Sequence, residues 1–204
     1  MPHSPLVSLV QRLPALKVCE ASILEAFATL HACFKDGGKV LLCGNGGSAA
    51  DADHWAGELL KSFCKDRRLS RQQRRGLSSY VGRHLEGGLP AIPLTSFPAL
   101  ASAFCNDVAP DLVFAQLTSV LGKPGDVLIA LSTSGNARNV GYAIETARMR
   151  GLRSIGLTGA IGGRLWRECD VCIRVPAKET YQVQEYHLPI YHCLSLMLEN
   201  AFFG

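Results

Sequence analysis

The 204-residue sequence has no apolar run approaching the ~18 residues that a membrane-spanning helix needs, and only 7% of its residues are aromatic. Its opening stretch, MPHSPLVSLVQRLPALK, is interrupted by prolines and offers no A-x-A-like cleavage site, so it does not read as a secretory signal. A soluble cytoplasmic protein with no membrane partner is expected. Extensive disorder is excluded too. With 48% of its residues apolar and 19% charged, the chain can build one ordinary domain over 1–204 with a substantial core. Its eight cysteines (Cys19, Cys33, Cys43, Cys64, Cys105, Cys169, Cys172, Cys193) are scattered through helix-like and strand-like stretches of a chain too long to need staples. They read as reduced core thiols. Cys169-x-x-Cys172 has no second such pair and opens an expected strand where alternate residues diverge, so packed thiols are expected there rather than redox or zinc chemistry.

The net charge of +4 is unevenly distributed. Between Lys61 and Arg83 eight lysines and arginines face a single acid, Asp66, which leaves the rest of the chain mildly acidic. Such local basicity is unlike the spread-out face of a nucleic-acid binder, and no nucleic-acid partner is expected. The polar, glycine- and serine-sprinkled stretch 64–88 reads as a basic loop leaving the domain.

Apolar spacing predicts a helical N-terminal segment over about 1–36, with one long helix from about Ala15 to Phe34 stopped by Gly37-Gly38. Beyond it, strands at 39–43, 89–94, 126–131, 154–157 and 171–175 alternate mostly with helices. The helical stretch 98–121 should break near Pro110, and the last helix, 181–203, should start close to Pro189 or bend there. Five apolar runs separated by helices predict an α/β fold with a doubly wound, five-stranded parallel sheet. Ligands bind such sheets at the carboxyl ends of the strands.

Two loops fall at such ends. Ser132, Thr133 and Ser134 follow one strand and precede a helix, so hydroxyls and free N–H groups converge beside the positive end of a helix dipole, which suits a phosphate dianion. A serine-rich turn with an Asn cap is the plain alternative. Gly44-Asn45-Gly46-Gly47-Ser48 has the same placement after the first strand. It lacks the G-K-[ST] of a P-loop, and Ala49 stands where a dinucleotide motif needs its third glycine, so two such loops favour a phosphorylated small molecule over a nucleotide. In the helix that follows, His54 and Glu58 share a face and can shuttle protons or hold a divalent metal, although a solvated pair has the same spacing. In the last helix Gln184 and His192 can border one cleft. Spacing alone does not choose between His187 and His192.

The segments C-G-N-G-G-S-A-A-D-A-D-H-W-A-G-E-L (Cys43 to Leu59), A-F-C-N-D (Ala103 to Asp107), G-D-V-L-I-A-L-S-T-S-G-N (Gly125 to Asn136), L-T-G-x-x-G-G (Leu157 to Gly163) and V-Q-E-Y-H-L-P-I-Y-H (Val183 to His192) together resemble the sugar isomerase (SIS) domain family. The match runs in order from about Ala21 to Glu199, the basic stretch apart. It is most similar to the branch that converts sedoheptulose 7-phosphate to D-glycero-D-manno-heptose 7-phosphate for lipopolysaccharide heptose. The resemblance implies a flavodoxin-like fold and a homotetramer with sites between subunits. It further implies that Asn45, Gly46, Gly47, Ser48, Glu58, Asn106, Asp107, Ser132, Thr133, Ser134 and Gln184 bind the sugar phosphate. Glu58 and His192 become the acid/base pair, and His54, Glu58, Gln184 and His192 the ligands of a divalent metal, usually zinc.

Three departures stand out. Ala137 replaces a serine usual after S-T-S-G-N, Tyr181 stands where an aspartate near the sugar is common, and 64–88 is much longer than the usual connection. Its arginines either reach a neighbouring subunit's phosphate site or remain solvated. The resemblance leaves one alternative to an aldose–ketose isomerase working through an enediol: a non-catalytic tetramer that binds the bacterial replication initiator. Such proteins keep the loops but replace the histidine that matches His192, which is intact here. A sugar-phosphate-sensing regulator would need a DNA-binding segment, and none is apparent.

Overall fold

A computed structural model describes residues 4–204; what the sequence suggests for 1–3 lies outside the described residues. Five strands, β1 (Val40–Cys43), β2 (Ala91–Pro93), β3 (Val127–Leu131), β4 (Arg153–Thr158) and β5 (Val171–Arg174), form one parallel sheet in the order β2-β1-β3-β4-β5. The helices are α1 (Pro5–Arg12), α2 (Glu20–Lys35), α3 (Gly47–Leu60), α4 (Ser79–His84), α5 (Pro98–Asp107), α6 (Val113–Leu121), α7 (Arg138–Met149), α8 (Gly163–Glu168) and α9 (Thr180–Phe203). Every residue of β1 and β3 is buried. The cause is that both faces of the sheet are covered, which is why these strands read as unbroken apolar runs. Val40, Leu42, Ile129 and Leu131 point into a core shared with α1, α2, α3 and α9, while Leu41, Cys43, Leu128 and Ala130 point into a second core under α6, α7 and α8.

The N-terminal segment is helical as expected, but its long helix starts at Glu20 rather than near Ala15. Pro14 opens a 3₁₀ turn (Pro14–Cys19) between α1 and α2, because proline suits a first helical position and cannot continue α1. α9, in contrast, runs straight through Pro189. The carbonyl of Glu185 loses its helical partner there, and the buried proline ring packs into the core in exchange. All eight cysteines are free thiols, yet Cys64 and Cys105 are exposed, so they are not core residues as expected. Cys169 and Cys172 do not diverge; both sulfurs crowd the space left by the missing side chain of Gly156, at 2.9 and 3.4 Å from where a Cβ would stand. Among the described residues no helix is long and apolar enough to cross a membrane.

His187 is fully buried in the core under α9. Burial pushes its imidazole down from 6.5 to about 4. The unfolded chain therefore takes up a proton near pH 6.5 that the folded chain refuses. This stability is complete above about 6.5 and is lost as pH falls toward 4, by about 3 kcal/mol. In a His187→Leu protein, Tm measured between pH 7 and 4.5 should fall less steeply than in the wild type; an unchanged slope would contradict this.

Candidate active site

The strand order reverses between β1 and β3, and in open parallel sheets that point is where a crevice opens at the carboxyl ends. Here the loops after β1 and β3 face each other across a cavity of about 340 Å³ lined by Asn45, Gly46, Gly47, Ser48, Ser132, Thr133, Ser134, Ala137, Thr180 and Gln184. The two loops predicted to bind phosphate thus meet in one place. Gly46 has a φ of +55°, which turns the chain sharply into α3. Gly47 is required for a different reason: a Cβ there would collide with the Gln184 amide, so α9 approaches α3 directly against the loop. Ala137 lines the cavity itself, so the hydroxyl it lacks is missing from the site.

The serine loop is held from behind by glycine. Gly135, at φ +69°, packs its Cα against the carbonyl of Gly162, and a Cβ at Gly163 would stand 2.6 Å from the Ser134 carbonyl. Backbone bonds join the same loops, from Gly159 N–H to the Thr133 carbonyl (3.0 Å) and from Leu165 N–H to the Gly135 carbonyl (3.1 Å). The L-T-G-x-x-G-G segment therefore serves to brace S-T-S-G-N. A Gly135→Ala protein combines a left-handed backbone with a steric overlap, and should lose at least about 2 kcal/mol and bind phosphate several-fold more weakly. Thermal melts and phosphate titration would check both; unchanged phosphate affinity would show that the brace is not needed.

A second cluster lies further along α3. Glu58 is buried, and its Oε1 lies 2.9 Å from His192 Nε2 and 3.4 Å from His54 Nε2. Burial raises the Glu58 carboxyl above its usual range, partly offset by Ser195 and His54. Burial, with His54 and Arg12 nearby, holds His192 below the ordinary imidazole value. One donor atom from each of His54, Glu58 and His192 lies within 4.8 Å of the others, a grouping able to hold a metal ion. The fit is supported by what the atoms lack. Both Glu58 oxygens and His192 Nε2 are buried with no hydrogen-bond partner, and a carboxylate and two imidazoles facing one another suit a divalent cation with N and O ligands. Gln184, also named as a ligand, has its amide against Gly47 at the phosphate end of α9.

Other expected residues fall elsewhere. Asn106 and Asp107 end α5, exposed and bonded to each other (2.8 Å), and do not line the cavity. Asn45 lines it but also pairs reciprocally with Asn139 of α7 (2.9 and 2.8 Å). Tyr181 is exposed one residue past Thr180, and of the two histidines left open by spacing His187 points into the core whereas His192 faces Glu58.

Two residues near the cluster escaped sequence reasoning. Tyr191 places its hydroxyl between His54 and Asp51. Arg67, one of the arginines expected either to reach a neighbouring subunit or to remain solvated, is completely buried. It donates to the carbonyls of Leu59 (2.8 Å) and Glu58 (3.1 Å) and to Glu199 Oε1 (2.9 Å), and stacks on Phe203. It thereby satisfies the last carbonyls of α3 and ties the basic segment to α9.

A doubly wound sheet with a loop-lined cavity at its switch point and a carboxylate–imidazole cluster further along α3 defines an α/β protein of the kind that can hold and transform a small molecule. Residues 8–73 and 102–199 match the SIS domain. A phosphoheptose isomerase of Rhodospirillum rubrum is 43% identical over 90% of this chain and 87% of its own length. Among solved structures, the phosphoheptose isomerase of Neisseria gonorrhoeae superposes with a TM-score of 0.77 at 32% identity, over 96% of this chain and 93% of that one. That of Francisella tularensis gives 0.79 at 30%, over 95% and 93%. The chain belongs to the phosphoheptose isomerase family of SIS-domain proteins.

Proposed function

We propose that the chain is an aldose–ketose isomerase that interconverts sedoheptulose 7-phosphate and D-glycero-D-manno-heptose 7-phosphate through an enediol. The observation that carries this reading is the alignment of α3 and α9. Gln184 lies at Gly47, Tyr191 at Asp51 and His192 at Glu58, so the two helices run side by side in the same direction. The phosphate cavity sits at one end of the pair and the proton-moving cluster at the other, with about 16 Å of helix between Gly47 and Glu58 at 1.5 Å per residue. A long open-chain sugar, with its phosphate on the terminal carbon farthest from the carbonyl, suits that separation better than a short one.

In this reading the N–H groups and hydroxyls of the two loops hold the phosphate through Asn45, Gly46, Gly47, Ser48, Ser132, Thr133 and Ser134. Moving the carbonyl between C1 and C2 requires taking a proton from one carbon, returning it to the other, and passing a proton between the oxygens. Glu58 moves the carbon-bound proton and His192 serves the oxygens. Glu58 can also act as a metal ligand because its two oxygens are separable: Oε1 faces both histidines, and Oε2 has no partner. His54, Glu58 and His192 would hold the divalent ion, zinc by resemblance, and the chemistry it supplies is polarisation of the sugar's carbonyl oxygen. Asn106 and Asp107, exposed at the end of α5, join a site only if a neighbouring subunit supplies it, as in the homotetramer proposed from the resemblance. A cytoplasmic place and a supply of heptose for lipopolysaccharide complete the proposal. The replication-initiator reading finds no support, because the relatives carry enzyme names and the histidine such proteins replace is here, 2.9 Å from Glu58.

The direct test is incubation of the purified protein with sedoheptulose 7-phosphate and with shorter ketose phosphates, with and without chelator. Turnover of the heptulose phosphate in preference to the others is expected; turnover of none would overturn the proposal.

A further inference from the structure

Tyr191 is buried to the last atom, yet carries a hydroxyl. Its ring stacks on Trp55 (centroids 5.6 Å apart, 18° between planes) and meets His54 edge-on (5.6 Å, 81°). The hydroxyl lies 3.0 Å from His54 Nδ1 and 3.3 Å from Asp51 Oδ1. A phenol has one proton to give and has two candidate acceptors here. Asp51 as a carboxylate can only accept, and its other oxygen is buried without any partner. Giving the phenol proton to His54 would leave Asp51 with no donor at all. Giving it to Asp51 leaves the phenol oxygen to accept from His54, which then carries its own proton on Nδ1. A neutral imidazole protonated at Nδ1 has a lone pair on Nε2, and that is the atom facing Glu58 at 3.4 Å.

We propose that Tyr191, oriented by Asp51, is a positioning residue that fixes the tautomer of His54, so that its Nε2 lone pair is presented to the Glu58–His192 cluster as a ready cation ligand. The significance of the tautomer rests on the metal-site reading above; the tautomer itself does not. Histidine ligands in metal sites are commonly held in this way, through a bond to the ring nitrogen that does not face the metal. The stacking on Trp55 keeps the phenol in place, so replacing Tyr191 with Phe removes the hydroxyl while preserving the packing.

Imidazole ¹⁵N NMR of histidine-labelled protein, without added metal, reads the tautomer directly. The His54 resonances should show the proton on Nδ1 in the wild type. They should move toward the Nε2-protonated form in Tyr191→Phe, and also in Asp51→Ala, where the phenol proton becomes free to turn to Nδ1. A wild-type His54 protonated on Nε2, or a tautomer unmoved by both substitutions, would overturn the proposal. Titration with Zn²⁺ or Co²⁺ is the second readout, and a 10- to 100-fold loss of affinity is expected in each variant. Wild-type protein that binds neither ion while His54 keeps its proton on Nδ1 would refute the metal-site reading and leave the relay standing. Wild-type affinity retained in both variants would overturn the positioning role.

Discussion

Replacing Glu58 with Gln should leave the fold and the phosphate cavity intact and lower turnover of sedoheptulose 7-phosphate about a thousandfold. Gln matches Glu in shape and size but cannot accept a proton from carbon, and positioned acid–base catalysis contributes roughly 10²- to 10⁴-fold. The loss should fall on kcat more than on KM, because the cavity proposed to hold the phosphate lies at the far end of α3. Exchange of the substrate's carbon-bound hydrogen with deuterated solvent should disappear together with turnover. A Glu58→Gln protein within tenfold of wild type would remove Glu58 from this role, and a large loss of phosphate affinity would show that the two ends of the site are not independent.

The largest effect on stability is expected at Arg67. Its side chain and that of Glu199 are 0% and 1% exposed, and breaking a buried pair from one side leaves an uncompensated charge. Glu199 keeps the N–H groups of Phe63 (3.0 Å) and Cys64 (2.9 Å), so the cost sits at the lower end of the usual range, about 3 kcal/mol. For a chain of this size Tm should fall by roughly 6–12 °C in an Arg67→Met protein. The double variant Arg67→Met, Glu199→Leu removes both charges and should recover part of that loss. An Arg67→Met protein as stable as the wild type would show that the anchor is not needed.

These two residues also mark how far the sequence could be read. The sheet was legible because β1 and β3 are covered on both faces, which turns burial into unbroken apolar runs, and the two cavity-lining loops were legible because glycine and hydroxyl residues directly follow those strands. Helical spacing put Glu58 and His54 on one face, but it fits a solvated pair equally well, and only the resemblance gave them a role. Arg67 did not, since what makes it a core residue is Glu199, 132 positions away, and a count of charges treats every arginine as solvated. Tyr191 was hidden for the same reason: it reads as one more apolar position of α9, and its polar partners Asp51 and His54 lie 140 and 137 positions earlier. Asn106 and Asp107 came by resemblance alone, and the fold of a lone chain leaves them at its surface. The long N-terminal helix, expected from Ala15, begins at Glu20, because apolar spacing does not separate the 3₁₀ turn Pro14–Cys19 from the α-helix that follows it.

The glycine seam behind the serine loop has a consequence for recognition. With Gly135 and Gly163 seated against neighbouring backbone, the serine loop is packed in place without a ligand, so a phosphate bound as proposed need not first order the chain around it. Capture of the anionic end can then precede and guide placement of the flexible carbon chain, a tether that confines the reactive carbons to a small volume near Glu58 while they sample orientations.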